Sequence, residues 1–145
     1  MPAATHLSAR SQHGFTLIEL LVVLLVLAAL AAIALPSFIG QRDKAGDAQA
    51  KVQAKAAQVA AETYFTDRQT YAGLSAAVLR GIEPTLNDAT LTGIVGAAST
   101  YPVGVRSRSA AAGTFTLSRA ANGRVTSSCT VRGRGGCPAS GRWAS

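Results

Sequence analysis

The longest apolar run of the chain lies close to its N-terminus. From Leu20 to Leu35 sixteen consecutive residues are apolar, and Phe15 to Glu19 extend the run to 21 residues, of which only Thr16 and Glu19 are polar. As an α-helix with a rise of about 1.5 Å per residue, this stretch is roughly 30 Å long, which matches the hydrocarbon core of a bilayer. The pattern therefore predicts a membrane-spanning helix with a carboxylate near its start. A charge costs about 2.5–3.5 kcal/mol on insertion scales, and less towards the interface.

After Pro36 the chain still has a helical pattern, but it becomes amphipathic. Apolar residues recur every three or four positions and predict one buried helical face: Phe38, Ala45, Ala48, Val52, Ala56, Val59 and Ala60. We therefore predict one long helix from about Phe15 to Phe65, with residues 15–36 in the membrane and residues 37–66 covering a sheet. Pro36 is expected to kink this helix, because proline lacks the backbone N–H and clashes with the preceding turn.

The remainder, residues 67–145, predicts a small globular head. Ser75 to Arg80 has a short helical pattern, and turn residues follow at Glu83-Pro84. Alternating apolar and polar residues predict three strands, and an Asn-Gly pair predicts a hairpin between the last two: Tyr101 to Ser107, Thr114 to Arg119 and Arg124 to Val131, with the turn at Asn122-Gly123. We expect an α+β fold in which two or three antiparallel strands pack on the long helix.

The start of the apolar run also carries a recognisable motif. Gly14-Phe15-Thr16-Leu17-Ile18-Glu19-Leu20 followed by apolar residues resembles the N-terminus of type IV prepilins and pseudopilins. The features of that motif are a processing glycine, an aromatic first mature residue and a glutamate four residues later; Pro36 also stands where the family commonly has proline. The motif covers about a sixth of the chain, and beyond it the resemblance is architectural, to the pilin-like α+β fold.

The resemblance implies how the N-terminus is processed. A prepilin peptidase would cleave on the cytoplasmic side between Gly14 and Phe15, residues 1–14 would be lost as a leader, and Phe15 would be N-methylated. The subunit would cross the inner membrane once with its N-terminus in the cytoplasm, and would be extracellular after assembly. An alternative is a secretory signal peptide: Ala32-Ile33-Ala34 is an A-x-A tripeptide, and cleavage after it would leave Leu35 first. Glu19 argues against this alternative, because a signal core has no use for a costly carboxylate.

Glu19 needs a partner of opposite charge, and the resemblance suggests one. In a filament, Glu19 of one subunit is expected to meet the Phe15 amine of its neighbour, because opposite charges attract strongly in a low-dielectric core. The alternative is that Glu19 is only tolerated in the membrane and extends towards the lipid headgroups.

The basic residues are unevenly distributed. The net charge is +7, residues 36–100 hold six basic and six acidic side chains, and the chain after Ser99 has seven arginines and no Asp, Glu or Lys. Basic side chains neutralise phosphates without sequence preference, so this last third offers candidate anion or DNA contacts: Arg106, Arg108, Arg132 and Arg134. The alternative is a solvated positive surface without a ligand.

Cys129 and Cys137 are the only cysteines. In a head outside the cytoplasm the pair is expected to form a disulfide, as in the C-terminal loops of many pilins. Both histidines lie in the predicted leader, and the remainder lacks a recognisable nucleophile–base pair or phosphate-binding loop. We therefore predict a non-enzymatic subunit with no catalytic residues, no metal and no cofactor.

Three functions stay open at this point. The first is a type IV pilin, a homo-oligomeric subunit of a surface filament that engages the prepilin peptidase, the pilus assembly machinery and the membrane. The second is a major pseudopilin of a type II secretion system, whose filament stays within the envelope. The third is a DNA-uptake pilin with a basic, nucleic-acid-binding head.

Overall fold

The computed structural model describes residues 14–144, apart from the side chains of residues 36, 37 and 39. The described chain forms two compact units, the first ending at Ser37 and the second beginning at Phe38. The elements in chain order are α1 (Leu17–Arg68), α2 (Ala76–Ile82), a 3-10 helix (Pro84–Asp88), β1 (Thr90–Thr92), β2 (Tyr101–Arg106), β3 (Thr114–Arg119) and β4 (Val125–Cys129).

The long helix predicted from the sequence is confirmed. α1 contains 52 residues and ends at Arg68, where Gln69 adopts a left-handed conformation with φ of 57°. Helical backbone continues through Pro36, so the kink predicted at this residue stays a prediction. The predicted leader, residues 1–14, lies outside the described residues except for Gly14.

In the first unit the apolar side chains are exposed. Every residue from 14 to 35 is exposed, and the first helical stretch has a mean hydropathy of 3.0 over 18 residues. By length and composition this stretch is able to cross a membrane, although signal sequences meet the same criterion. It fits the membrane-anchored precursor that the motif implies.

The second unit contains a four-stranded antiparallel sheet in the order β1-β2-β3-β4. The three predicted strands are confirmed as β2, β3 and β4, and the short helix predicted near Ser75 is confirmed as α2, capped by the Ser75 side chain. The edge strand β1 was not predicted, because its three residues are too few to show an alternating pattern. The residues at the predicted Glu83-Pro84 turn begin the 3-10 helix.

The Asn122-Gly123 hairpin is also confirmed. Ala120 N–H donates to the Arg124 carbonyl oxygen at 2.9 Å, and Gly123 has φ of 80°. Glycine adopts this left-handed conformation without steric cost, which explains why the turn between β3 and β4 forms at this point.

The predicted buried face of the second half of α1 is wrong. Phe38, Val52 and Val59 are each at least 65% exposed, Ala45 and Ala48 are exposed as well, and only Ala56 and Ala60 contribute to the core. The residues that α1 buries lie on the opposite side and are mostly alanines: Ala50, Ala54, Ala57, Ala60, Ala61 and Tyr64. The large apolar residues of the same core come from elsewhere in the head: Tyr71, Leu79, Leu86, Tyr101, Val103, Val105 and Phe115.

Candidate assembly site

The N-terminus of α1 is capped by a residue of the recognised motif. Glu19 N–H donates to Thr16 Oγ1 at 3.2 Å, and Leu20 N–H donates to the Thr16 carbonyl oxygen at 3.2 Å. Thr16 and Glu19 therefore have the Thr-x-x-Glu spacing of a capping box, a signal that the sequence analysis missed. Glu19 also lies in the first turn, where the helix dipole favours a negative charge.

The apolar surface around this cap is unusually large for an isolated subunit. Phe15, Leu17 and Ile18 are 81%, 86% and 71% exposed, respectively, and the Glu19 carboxylate accepts no hydrogen bond from any residue between 14 and 144. Exposed apolar patches of this extent mark membrane or protein contacts. Gly14, Phe15 and Glu19 thus lie together at one end of an apolar helical surface that something outside the subunit must cover.

A second exposed apolar surface lies on the head half of α1. We name it the outer stripe: Phe38, Ala45, Ala48, Val52 and Val59. These residues follow one another at intervals of three, four or seven positions, which places them on the helical face opposite the buried alanines. The stripe is therefore available for contact with another molecule.

On the buried face, Asp47 connects α1 to two loops of the head. Asp47 is 3% exposed, and its Oδ1 accepts hydrogen bonds from the hydroxyls of Ser107 (2.5 Å) and Ser109 (2.8 Å). Its Oδ2 accepts from Gly136 N–H at 2.7 Å. Burial acts to raise the pKa of Asp47, but these hydrogen bonds and the nearby Lys51 charge hold the pKa below its ordinary value.

Close packing accompanies these hydrogen bonds. A Cβ atom at Gly46 would lie 3.0 Å from the Ser109 backbone nitrogen, so glycine lets the loop after β2 approach the helix. No role for Asp47 was predicted from the sequence. The spacing of the residues nevertheless indicates that Asp47 is on the buried face. Asp47 stands three residues before Ala50, and Ala54, Ala57 and Ala61 continue this spacing of three or four residues.

Glu62 connects the far end of the same helix to the sheet. Its carboxylate accepts hydrogen bonds from the hydroxyls of Tyr71 (2.7 Å) and Tyr101 (2.8 Å) and forms an ion pair with Arg119 at 3.1 Å. Burial, followed by the hydrogen bond to Glu62, raises the pKa of Tyr71 to about 12, and the pKa of Tyr101 is raised for the same reasons. Both tyrosines are therefore neutral donors at physiological pH.

The disulfide predicted for Cys129 and Cys137 is present, with a Cα–Cα distance of 5.8 Å. The loop that it closes is held internally by Gly133 N–H, which donates to the Cys137 carbonyl oxygen at 2.9 Å. Because Gly136 belongs to this loop, the disulfide holds the donor that binds Asp47.

The four candidate arginines are all exposed. Arg106 ends β2 and pairs with Thr114, and Thr114 N–H donates to Thr130 Oγ1 just beyond β4. Arg108 follows β2 in the chain and Arg132 and Arg134 follow β4, so all four belong to the same end of the sheet. None of them forms an ion pair within the described part of the chain.

Comparisons with known proteins agree with this geometry. Residues 9–35 match the family model described as the prokaryotic N-terminal methylation motif. The predicted resemblance to type IV pilins is thereby confirmed. A curated relative, the type IV major pilin protein PilA of Myxococcus xanthus (strain DK1622), is 39% identical over 58 residues, which cover 40% of this chain. The matched region spans about a quarter (26%) of that relative's length. No solved structure matches the chain.

Proposed function

We propose that this chain is a type IV pilin, a non-enzymatic structural subunit that is cleaved after Gly14, N-methylated at Phe15 and polymerised into a surface filament. The observation that carries the proposal is the apolar helix of the first unit, which is exposed from end to end and has one carboxylate near its start. An isolated subunit can cover such a surface only with a membrane or with other subunits.

In this proposal, lipid covers the apolar helix before assembly and neighbouring subunits cover it afterwards. Before assembly, residues 15–36 lie in the inner membrane with the N-terminus in the cytoplasm, where the prepilin peptidase removes residues 1–14. During assembly the apolar helices of neighbouring subunits replace the lipid, and the charge on Glu19 meets the new amine of Phe15 in a neighbouring subunit. Attraction between these charges favours one stagger between subunits, because a shifted helix leaves both charges unpaired in an apolar environment.

The outer stripe supports the same proposal from the second unit. Val52 and Val59 are 68% and 65% exposed, and they form part of an apolar surface on the second unit itself. A helix that only anchored a head in a bilayer would have no need for this stripe. In a filament, the stripe is available to pack against other subunits.

Processing tests the proposal directly. Replacing Gly14 with leucine should block cleavage, so that the protein keeps its 14-residue leader and assembles no filaments. Mass spectrometry of the wild-type mature N-terminus should find N-methylated Phe15. A mature N-terminus at Leu35 would contradict the proposal and indicate a secretory signal peptide.

The alternative within the same class is a pseudopilin of a type II secretion system. Shearing intact cells distinguishes the two, because a surface pilus releases the subunit into the sheared fraction and an envelope-confined pseudopilus does not. We expect release from wild-type cells and none from cells that produce the Gly14→Leu variant. Subunit retained entirely in the envelope of wild-type cells, despite correct processing, would favour the pseudopilin.

A further inference from the structure

Serines and arginines alternate where β2 ends, and the two residue types have opposite surroundings. In the segment Arg106-Ser107-Arg108-Ser109 the two serines are buried against Asp47, whereas the two arginines are exposed. Arg108 is held by a hydrogen bond from its Nη2 to the Asp88 carbonyl oxygen at 2.6 Å. Asp47 therefore fixes the backbone from which the two guanidinium groups extend.

The disulfide loop after β4 has the same arrangement. Gly136 N–H donates to Asp47 Oδ2 at 2.7 Å, whereas Arg132 and Arg134 are exposed. One buried carboxylate thus anchors both loops, and two arginines on each loop remain in solvent.

Two more cations lie on α1 beside these loops. Arg42 and Lys44 are exposed, and the residue between them, Asp43, accepts a hydrogen bond from Ala110 N–H at 2.8 Å. We name the six cations at this end of the head the basic collar: Arg42, Lys44, Arg106, Arg108, Arg132 and Arg134. The acidic residues beside the collar are the buried Asp47, the half-buried Asp43 and the exposed Asp88, so positive charge exceeds negative charge at this end.

The collar begins close, along the chain, to the end of the apolar run. Arg42 follows Leu35 by seven residues, whereas Arg68 follows it by 33. The loops next to the other four cations are hydrogen-bonded to Asp43 and Asp47, which stand close to Arg42 in the chain. The collar therefore lies at the part of the head that directly follows the apolar run in the chain.

We propose that the basic collar binds the phosphate groups of anionic phospholipids while the subunit is anchored in the membrane. Guanidinium groups suit this role, because each can donate two parallel hydrogen bonds to a phosphate. The inference rests on the proposed membrane anchoring. It adds to that proposal the class of lipid that is bound. It also gives a function to four of the arginines in the last third of the chain.

The test uses the full chain reconstituted in phosphatidylcholine vesicles with a minority of phosphatidylglycerol. Electron paramagnetic resonance of spin-labelled lipids measures the fraction of each lipid that the protein immobilises. We expect the wild type to select phosphatidylglycerol about fivefold over phosphatidylcholine at low salt. The preference should fall towards one at about 0.5 M salt, because ions screen the collar.

Two sets of variants locate the preference. Replacing Arg106, Arg108, Arg132 and Arg134 with glutamine should remove most of it, whereas replacing the same four with lysine should keep most of it. The control replaces two cations at the opposite end of the head, Arg68→Gln and Arg124→Gln, and should leave the preference unchanged. Circular dichroism and the oxidised state of Cys129 check that each variant is folded. If the fourfold glutamine variant is not, the paired variants Arg106→Gln with Arg108→Gln and Arg132→Gln with Arg134→Gln supply the test, and each should reduce the preference.

Several outcomes would overturn the inference. Equal immobilisation of both lipids by the wild type would do so, as would an equal loss of preference in the control variant. Duplex DNA binding through the collar without a lipid preference would favour the nucleic-acid hypothesis instead. Vesicle flotation separates this inference from the proposed function: protein that fails to float with any vesicle contradicts the anchoring itself, whereas flotation without lipid selection contradicts only the collar.

Discussion

Two carboxylates of the same helix have opposite surroundings. Asp47 is almost fully buried and accepts three hydrogen bonds from residues of its own head. The Glu19 carboxylate lies in an exposed apolar segment and accepts none from any residue between 14 and 144. An ionised group in apolar surroundings is costly without a partner. Asp47 has its partners within the head, and we propose that Glu19 has its partner in a neighbouring subunit.

This difference assigns the two residues to different processes. Removing Asp47 should weaken folding of the head, because its buried donors would lose their acceptor. Removing Glu19 should leave folding unchanged and should impair assembly. Measurements of filament yield and of head stability on the same variants therefore test the comparison, and the expected effects differ widely in size.

The largest expected effect is the loss of filaments in Glu19→Ala. The variant should insert into the membrane as well as the wild type or better, because a desolvated charge is removed. It should nevertheless assemble few or no filaments, because the Phe15 amine of the neighbouring subunit would have no counter-charge. Filaments sheared from cells, compared with membrane-bound subunit, measure both quantities.

Glu19→Gln is the matched control for the charge. Glutamine keeps the length and polarity of the side chain and the Glu19 N–H bond to Thr16, but carries no charge. If the charge matters, this variant should fail to assemble like Glu19→Ala. Normal filament yield from Glu19→Gln would show instead that a polar side chain is sufficient at this position.

The second effect is destabilisation of the head by Asp47→Ala, which we expect to cost about 3 kcal/mol or more. The substitution leaves Ser107, Ser109 and the Gly136 N–H without their acceptor in a buried site. Denaturation of the full chain in detergent, followed by tyrosine and tryptophan fluorescence, measures the change. Asp43→Ala is the control, because Asp43 accepts one hydrogen bond at an exposed site and should cost about 1 kcal/mol or less.

The pH dependence of a further variant, Asp47→Asn, gives an additional check. The pKa of Asp47 is lower in the folded state than its ordinary value of 3.8. Its contribution is therefore complete above about pH 5 and is lost as the pH falls through the lowered folded-state pKa. The stability difference between wild type and Asp47→Asn should be constant at neutral pH and shrink in acid below 3.8. A difference that stays constant in acid would contradict the carboxylate role.

The residue pattern predicted the extent of α1 but assigned its buried face wrongly. Periodicity identified the second half as amphipathic, and the predicted inward face combined Val52 and Val59 with alanines such as Ala45 and Ala48. The structure buries a different set of alanines, such as Ala54 and Ala57, which belong to the same core as Tyr71 and Phe115. Sequence alone cannot decide between two apolar faces when one is small and packs inside the subunit and the other is large and stays free for contacts outside it.

Features formed by residues close together in the chain were predicted, whereas contacts between distant residues were not. The Asn122-Gly123 turn, the Cys129–Cys137 pair and the N-terminal motif each depend on residues close in the chain, and each was predicted. The partners of Asp47 lie 60 to 89 residues away, so no spacing rule could have found them. The exposed position of the four arginines follows from those same distant contacts.

The third effect is a moderate loss of stability when the disulfide is removed. Cys129→Ser should cost about 2.5 kcal/mol on the loop-entropy model for a sequence separation of eight. Because Gly136 lies in this loop, the loss should be smaller in an Asp47→Ala background than in the wild type. A double-mutant cycle measures this coupling, and strictly additive losses would show that the disulfide does not help to hold the Asp47 site. Protease susceptibility of the C-terminal loop provides an independent measurement.

The smallest effect concerns Glu62, whose exposure lies between those of Glu19 and Asp47. It is half-buried and shared among Tyr71, Tyr101 and Arg119. Tyr71→Phe removes one of these donors while keeping the ring, so it should cost about 1 kcal/mol and leave filament yield unchanged.

Alkaline titration identifies this donor. The pKa of Tyr71 is raised from 10.0 to about 12 in the folded state, so its contribution to stability is complete below pH 10 and is lost as the pH rises towards 12. The wild type should therefore lose stability more steeply than Tyr71→Phe over this range, as followed by tyrosinate absorbance together with unfolding. Identical alkaline profiles for the two proteins would contradict the buried hydrogen bond between Tyr71 and Glu62. Glu62 would then stabilise the head through Tyr101 and Arg119 alone.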